Sequence, residues 1–415
     1  MRYLAIVLLL LAQQPGWSQI QSEWRGIGRT GIYNESGLMK VWPEGGPEKV
    51  WVADDLGTGY SSPAIGGQYI YVTGRKDGAD ILTALDFNGK QVWQHPFGRA
   101  WTGSYGETRT TPTLENGKLY MISGMGEVAC HDARTGEKIW FRDVYTEFSG
   151  RCNLYGVSES PLIVGDKVFY TPGGYETSMV ALNKHTGELI WKTRSLADSA
   201  AYVSPLYVKH NSQEMIINLM GNMLFGVDPA NGNILWEFNY LALKGPIENP
   251  YLKVTNCNTP LYHNGELFVA KGYNHPSAMF TVNEAGNSIT LKWTNTLLDT
   301  HFGGNVLIDG YLYGSNWINN SNGNWACIDW ETGSNRWEAQ MNNKGAIIAA
   351  DSMLYCYDEK KGQLALVRSD PAKFNLVSSI RIEDGTGPHW AHPVIHNGMI
   401  YVRHGDKLIA YLLRK

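Results

Sequence analysis

Apolar and polar residues alternate in short runs along most of the chain. Clear examples begin at Tyr69, Lys118, Lys167 and Glu266. An alternation of period two predicts β-strands, because successive side chains of a strand point to opposite faces. Asn-Gly or Thr-Gly pairs follow many of these runs and supply the positive-φ residue that a tight hairpin needs. The pattern therefore predicts an all-β protein of short antiparallel strands.

One phrase returns along the chain and ends each time in a tryptophan. Its best copy runs from Ala181 through Thr186-Gly187 to Trp191. The other copies end at Trp93, Trp140, Trp236, Trp293 and Trp337, with successive spacings of 47, 51, 45, 57 and 44 residues. A fixed period of this size is typical of β-propellers, in which one repeat forms one four-stranded antiparallel blade.

Two further units, 346–380 and 393–411, keep the frame without the tryptophan, which brings the number of blades to eight. The last unit ends near Leu413 without an outer strand, whereas the run 49–52 near the N-terminus belongs to no other unit. We expect this run to complete the eighth blade and close the ring. The propeller then spans 48–415, preceded by an extension over 19–47.

The repeated tryptophans are interpreted as structural. Each would pack between blades against a small residue of the neighbouring blade, since a large apolar ring needs a small partner at close packing. The expected small partners are Ala84, Cys130, Ala181, Gly226 and Cys327.

The first residues have the pattern of a secretory signal peptide. Arg2 precedes an apolar run that ends at Ala12, and the small residues Gly16 and Ser18 suit a cleavage site after residue 18. The run is shorter than the roughly 20 residues of a membrane-spanning helix. We expect residues 1–18 to direct export to the periplasm or beyond, with an uncleaved short anchor as the alternative. No cysteine precedes Cys130, so a lipoprotein is not expected, and no other segment predicts a membrane span.

Composition excludes two classes of protein. With 43% hydrophobic and 18% charged residues the chain is not predominantly disordered. With a net charge of -4 and no basic run it is not expected to bind nucleic acid. The five cysteines are scattered and indicate neither a zinc site nor a disulfide framework. Cys152 and Cys257 lie in corresponding loops of two blades. The sequence allows either two free thiols or a disulfide between them.

The phrase that ends in Trp191 resembles the tryptophan-docking repeat of the PQQ-binding-like family, the quinoprotein alcohol dehydrogenase-like propellers. The resemblance covers about 48–413. Trp24-Arg25-Gly26 and the segment from Trp42 to Trp51 also resemble exported bacterial single-propeller proteins. The family implies an eight-bladed propeller and includes both quinone-dependent dehydrogenases and the scaffold subunit of the outer-membrane β-barrel assembly machinery.

The resemblance leaves two functions open. Members that are dehydrogenases typically hold PQQ against a vicinal disulfide and a calcium ion, and no two cysteines are adjacent here. We therefore expect a binding or scaffold module with a polar axial site. A PQQ-dependent dehydrogenase of alcohols or sugars is the alternative. The expected partner is a small polar or anionic ligand, or a protein, bound by a monomer.

A propeller brings the residues before its innermost strands together around one axis. The residues predicted to line this axial site are Tyr60, Arg109, Asn153, Ser158, Glu159, Tyr202, Cys257, Asn258, His301, Asn305, Lys344, His389, Trp390 and His392. Arginine, lysine and histidine side chains converging on one axis suit an anionic or polyhydroxyl ligand.

These residue types suggest calcium binding, proton transfer and metal binding by histidine. Asn153, Glu159 and Asn258 could offer oxygen ligands to calcium beside PQQ. Glu159, His301 and His392 are the candidates for a proton-accepting catalytic residue. His389 and His392 would bind a metal together only if both rings faced inward, which residues i and i+3 of an extended strand do not do. No Gly-x-Ser-x-Gly motif supports a hydrolase.

Overall fold

The computed structural model describes residues 21–243 and 254–414. Eight of the nine sheets in these residues are blades with four antiparallel strands each, and apolar clusters between adjacent blades join all eight into a ring. The predicted eight-bladed β-propeller is confirmed. The predicted signal peptide lies outside the described residues.

The first four blades follow the chain without interruption, each from its innermost to its outermost strand. Blade 1 comprises Ala64–Gly66, Tyr69–Lys76, Ala79–Leu85 and Gln91–Arg99. Blade 2 comprises Thr113–Glu115, Lys118–Ile122, Val128–Asp132 and Lys138–Arg142. Blade 3 comprises Leu162–Val164, Lys167–Tyr170, Val180–Asn183 and Leu189–Lys192. Blade 4 comprises Leu206–His210, Gln213–Leu219, Met223–Val227 and Ile234–Asn239.

The other four blades follow the same order. Blade 5 comprises Leu261–His263, Glu266–Val269, Ser277–Val282 and Ile289–Asn295. Blade 6 comprises Asn305–Ile308, Tyr311–Ser315, Trp325–Asp329 and Asn335–Ala339. Blade 7 comprises Gly345–Ala350, Met353–Asp358, Gln363–Arg368 and Asn375–Arg381. Blade 8 comprises Val394–His396, Met399–His404, Lys407–Leu412 and Lys49–Ala53.

The remaining elements are short. A two-stranded ladder pairs Gly173–Gly174 with Asp198–Ser199. One α-helix spans Val144–Glu147, and 3-10 turns span Ile27–Arg29 and Tyr240–Ala242. None of the helices in the described ranges has the length and apolar character needed to cross a bilayer.

The ring closes as predicted. Lys49–Ala53 pairs antiparallel with Lys407–Leu412 and forms the outermost strand of blade 8. Trp51 on this strand donates its indole N–H to the carbonyl of Phe87 in blade 1, at 2.9 Å. A strand from the N-terminal part of the chain therefore joins the last blade to the first.

The repeated tryptophans reach from one blade to a turn of the next. Trp140 of blade 2 donates its indole N–H to the carbonyl of Lys184, at 2.9 Å, and its ring lies over Gly187. A Cβ at Gly187 would approach that ring to 2.7 Å, and the φ of +76° also favours glycine. Five of the six predicted repeat tryptophans make this type of hydrogen bond to the following blade.

The predicted small partners need a correction. Ala84, Cys130, Ala181, Gly226 and Cys327 are each the cross-strand partner of the tryptophan within the same blade. They do not belong to the neighbouring blade, because the tryptophan pairs with its own third strand while its ring extends sideways. The neighbour supplies a turn glycine and a carbonyl instead.

Residues 21–33, the channel segment, run up and down the central channel. Gln21–Ser22 pairs antiparallel with the innermost strand of blade 2 and meets the end of that strand at Glu115. Ile32–Tyr33 pairs parallel with the innermost strand of blade 7. The segment thus enters from the end where innermost strands finish, turns within the channel and returns. The extension over 19–47, expected only to precede the propeller, places these two strands inside it.

Candidate axial binding site

A cavity of about 300 Å³, the axial funnel, opens at the end of the propeller where the innermost strands begin. Loops that precede innermost strands supply much of its wall, as the propeller geometry predicts. The predicted residues that line it are Tyr60, Arg109, Ser158, Tyr202, Cys257, His301, Trp390 and His392.

The channel segment contributes to the floor of the funnel. Trp24 lines the cavity, and its ring lies 5.2 Å from that of His392. The next residue, Arg25, is buried and donates to the carbonyls of Ile347 and Asn305, at 3.0 and 2.7 Å. A side chain that bridges blades 6 and 7 in this way holds Trp24 in place beneath the ligand space.

His392 is held neutral by its burial and, secondly, by the charge of Arg25. The guanidinium N–H donates to Nδ1 of His392 at 2.8 Å, so the ring's proton is on Nε2, which donates to the carbonyl of Phe302 at 3.1 Å. Burial, and secondly the Arg25 charge, hold the pKa of His392 well below its ordinary value. Because both nitrogens are engaged, the geometry does not favour His392 as a proton acceptor for a ligand.

His301 is the other histidine of the funnel. Its ring packs 4.5 Å from that of Tyr273. Burial, and secondly the charge of Lys344, lower the pKa of His301 to about 3. No partner of Nδ1 is found among the described residues. His301 is therefore a neutral side chain near neutral pH, and its Nδ1 is a buried atom without a hydrogen-bond partner.

Arg109 provides a cation of the funnel wall. Its guanidinium donates to the carbonyl of Tyr155, at 2.5 Å, and to that of Tyr105. Burial lowers the pKa of Arg109, while the groups around it, Glu107 among them, act in the opposite direction. A guanidinium has five N–H donors, so donors remain after these two bonds.

Aromatic rings form a chain along the wall. Trp390 lies between Tyr60, at a centroid distance of 4.8 Å, and Tyr105, at 5.2 Å. Tyr105 contacts Tyr155, which contacts Tyr202 in turn. Adjacent rings are inclined by 36° to 78° to one another. The aromatic rings of the wall are therefore inclined to one another and do not form two parallel faces.

Lys344 and His389 do not line the funnel, and their side chains make contacts elsewhere. Lys344 forms a buried ion pair with Glu359 at 2.9 Å and donates to the carbonyl of Asn319. His389 stacks on His404 with 3.7 Å between ring centroids and hydrogen-bonds Tyr357. His389 thus faces away from His392, and within the described ranges no cluster of three or more His, Cys, Asp or Glu could hold a metal ion.

The side chains of Asn258 and Asn305 hold the loop between blades 5 and 6 in position. The amide group of Asn258 donates to the carbonyls of Thr300 and His301, at 2.6 and 2.9 Å, while its oxygen accepts from Gly304. The Asn305 side chain accepts from Thr300. Both residues were predicted to face a ligand because they precede innermost strands, but their amides are used within the loop between blades 5 and 6.

The predicted calcium ligands do not fit a calcium ion. Both oxygens of Glu159 accept from the backbone N–H of Thr171, and burial raises the pKa of Glu159 to about 8, which favours the neutral acid. The oxygen of Asn258 is occupied, and Asn153 donates to the carbonyl of Val254. None of the three lines the funnel.

Several lining residues escaped prediction. Some lie in long loops that the repeat does not align, and Glu359 with Lys360 follows the second strand of blade 7. The unpredicted lining residues are Trp24, Tyr105, Tyr155, Ser160, Ser204, Thr255, Tyr273, Phe302, Asn320, Glu359 and Lys360. Aromatic residues just outside predicted strands were the available signal. All five cysteines are free, Cys257 lining the funnel and Cys152 contacting the hydroxyl of Tyr145.

Comparison with known proteins identifies the repeat. The family described as outer membrane protein assembly factor BamB matches residues 78–339. BamB of Moranella endobia is 20% identical over 285 residues, which cover 68% of this chain and 70% of that protein. In the crystal structure of BamB from Moraxella catarrhalis, 99% of the chain superposes on 88% of this one with a TM-score of 0.64 and 14% identity, a likeness of fold.

A dehydrogenase matches over a smaller part. Quinoprotein ethanol dehydrogenase of Pseudomonas aeruginosa is 27% identical over 156 residues, 33% of this chain. The match spans only 24% of the length of that enzyme.

Proposed function

Because the chain belongs to the propeller family of the outer membrane protein assembly factor BamB, we propose that it is a binding or scaffold module whose axial funnel takes a polar ligand. The observation that carries the proposal is a cavity closed below by Trp24 and walled by aromatic rings with Arg109. Such a combination of apolar surface with few polar groups is the usual composition of a small-molecule site.

The module acts after export in this proposal. Residues 1–18 have the pattern of a signal peptide, and the BamB relatives are named outer membrane protein assembly factors. A protein partner that contacts the rim of the funnel is compatible with a ligand inside it, because the loops before the innermost strands form both.

The funnel is tested by a thermal-shift screen of small polar compounds. We expect at least one compound to raise the melting temperature of the wild type and to lose that effect in Trp390→Ala. Tyr175→Ala is the control, since Tyr175 is an exposed ring outside the funnel. A ligand whose stabilisation survives Trp390→Ala undiminished would place binding elsewhere.

The dehydrogenase alternative is tested separately. PQQ and calcium are added to the purified protein, and dye reduction is followed with alcohols and sugars. We expect no turnover, because Glu159, Asn153 and Asn258 are engaged in hydrogen bonds to backbone groups. Stoichiometric uptake with turnover would contradict the non-catalytic proposal.

A further inference from the structure

We propose that the ligand of the axial funnel is a sugar ring that carries a carboxylate. This inference rests on the proposed function and specifies its ligand. Two independent observations support it. Cationic groups around the funnel lack carboxylate partners, and the aromatic wall has the shape for a puckered ring.

The charge argument begins with Arg109. Its guanidinium is held by the carbonyls of Tyr105 and Tyr155 and not by a carboxylate. Glu107 attracts it without an ion pair between the two among the described residues. Burial raises the pKa of Tyr60 and Tyr202 above the ordinary value, so these neighbours are neutral. No carboxylate among the described residues is hydrogen-bonded to Arg109, so its remaining N–H donors can serve an anionic ligand.

A second cation, Arg25, is buried and lies next to the floor residue Trp24. The hydrogen bonds of Arg25 go to main-chain carbonyls and to the neutral His392. Burial lowers the pKa of Arg25 to about 10, which leaves it charged at neutral pH. Its guanidinium lies 5.8 Å from the ring centroid of Trp24, which lines the cavity. In a partly dry funnel such a charge attracts anions through the floor.

The acidic groups do not cancel these charges. Among the described lining residues Glu359 is the one carboxylate, and Lys344 neutralises it at 2.9 Å. Lys360 adds a further cation to the wall. The lining residues therefore carry a positive excess, and a guanidinium with spare donors is the group that best recognises a carboxylate.

The shape argument concerns the rings. A flat ligand stacks best between parallel faces, but adjacent rings here are inclined by 36° to 78°. A sugar in its chair form presents C–H groups on both faces, which suit several inclined rings. Its hydroxyls would meet the hydroxyls of Ser158, Ser160 and Ser204. A volume of about 300 Å³ is at the small end of ligand sites and suits one ring.

The experiment compares matched sugars by isothermal titration. Glucuronate, galacturonate and mannuronate are each titrated beside the neutral hexose that differs only at C6. We expect at least one uronate to bind at least ten times more tightly than its hexose. Added salt should weaken binding of the uronate more than that of the hexose, since it screens the charge that separates them.

Variants locate the charge. Arg109→Gln should reduce the affinity for the uronate to that for the hexose, with little effect on the hexose itself. Arg151→Gln is the matched control, because Arg151 is exposed and contacts Tyr175 outside the funnel. Melting temperatures of both variants verify that they fold. The same titration with a uronate-terminated oligosaccharide distinguishes a free sugar from the end of a glycan.

Three results would overturn the inference. Equal affinity for uronate and hexose, or a preference that survives Arg109→Gln, contradicts recognition of the carboxylate. If no sugar binds while another compound stabilises the wild type and not Trp390→Ala, the sugar is wrong and the proposed function stands. If Trp390→Ala does not reduce the stabilisation by any ligand found, both the sugar inference and the proposed function are wrong.

Discussion

Lys344 and Glu359 form an ion pair whose two side chains are only 2% and 4% exposed. Removal of one partner from a buried pair leaves the other charge without compensation, at a cost of about 3–5 kcal/mol. We expect Lys344→Ala to lower the free energy of unfolding by about 3 kcal/mol in urea titrations.

The pair of Lys192 with Glu176 provides the comparison. It has a similar distance, 2.8 Å, but both side chains are about 40% exposed. Lys192→Ala should cost less than about 1 kcal/mol, since exposed pairs contribute little. Equal losses in the two variants would contradict the burial of Lys344.

Glu159 gives the fold a pH dependence of defined sign. Burial raises its pKa to about 8 in the folded protein, whereas an unfolded glutamate has a pKa near ~4.3. The folded state therefore binds the proton more tightly, and the stability this provides is lost as pH rises from about 4.3 through 8. We expect Glu159→Gln to gain stability relative to wild type between pH 5 and pH 9.

Urea titrations at pH 5, 7 and 9 measure this difference. Glu137→Gln, at an exposed position, should show no such trend. A difference between wild type and Glu159→Gln that stays constant with pH would mean that Glu159 is ionised in the folded protein throughout this range.

At this scale the sequence predicted positions better than orientations. It placed Tyr60, Arg109 and Trp390 near one axis, because they precede innermost strands. Asn258 occupies an equivalent position, yet its side-chain amide hydrogen-bonds to backbone groups of Thr300 and Gly304 in a neighbouring loop. Whether such a side chain lines the funnel or bonds to a neighbouring loop depends on partners distant in sequence, such as Gly304. A local sequence pattern does not reveal these partners.

Between elements, the tryptophans provide directional contacts that can be measured. Trp191 donates to the carbonyl of Pro229 in the next blade, at 3.1 Å, whereas the indole N–H of Trp236 has no partner among the described residues. Trp191→Phe should therefore cost about 1 kcal/mol more than Trp236→Phe, the value of a hydrogen bond. Trp191→Ala should cost about 3–5 kcal/mol as a large core truncation.

Denaturant titrations of the three variants test this assignment. If Trp191→Phe and Trp236→Phe are equally destabilised, the hydrogen bond between blades 3 and 4 contributes nothing. A wild-type stability for Trp191→Ala would contradict the packing role of the ring as well.

The blades could be predicted because each repeats the same alternation, turn glycine and tryptophan. The channel segment could not be predicted as part of the ring. Its strands are two residues long, and Arg25 and Arg29 adopt a positive φ within a glycine-rich stretch. Its conformation depends on partners in blades 2, 3, 6 and 7, which no periodicity in residues 21–33 encodes.

Across the whole molecule, ring closure depends on the strand Lys49–Ala53. Deletion of residues 19–55 removes this strand and exposes the edge of Lys407–Leu412. An unpaired strand edge is a template for association with other chains. We expect the truncated protein to aggregate, as measured by size-exclusion chromatography with light scattering.

Deletion of residues 19–47 is the control, since it retains the closing strand. It removes the channel segment and should give a soluble but less stable protein, because the bonds from Arg25 and Arg29 to the blades are lost. If the protein lacking residues 19–55 were soluble and unfolded cooperatively at unchanged stability, the closure would be wrong.

The closing strand also has a consequence for the order of events during synthesis. Lys49–Ala53 leaves the ribosome before any complete blade, yet its partner Lys407–Leu412 is made only after the seven other blades. Blades can pack as they emerge, but the early strand must wait without its partner. The channel segment that precedes it has contacts in blade 7 and waits almost as long. Completion of the ring is therefore a late step, because it pairs a strand made before all of the blades with a strand made after seven of them.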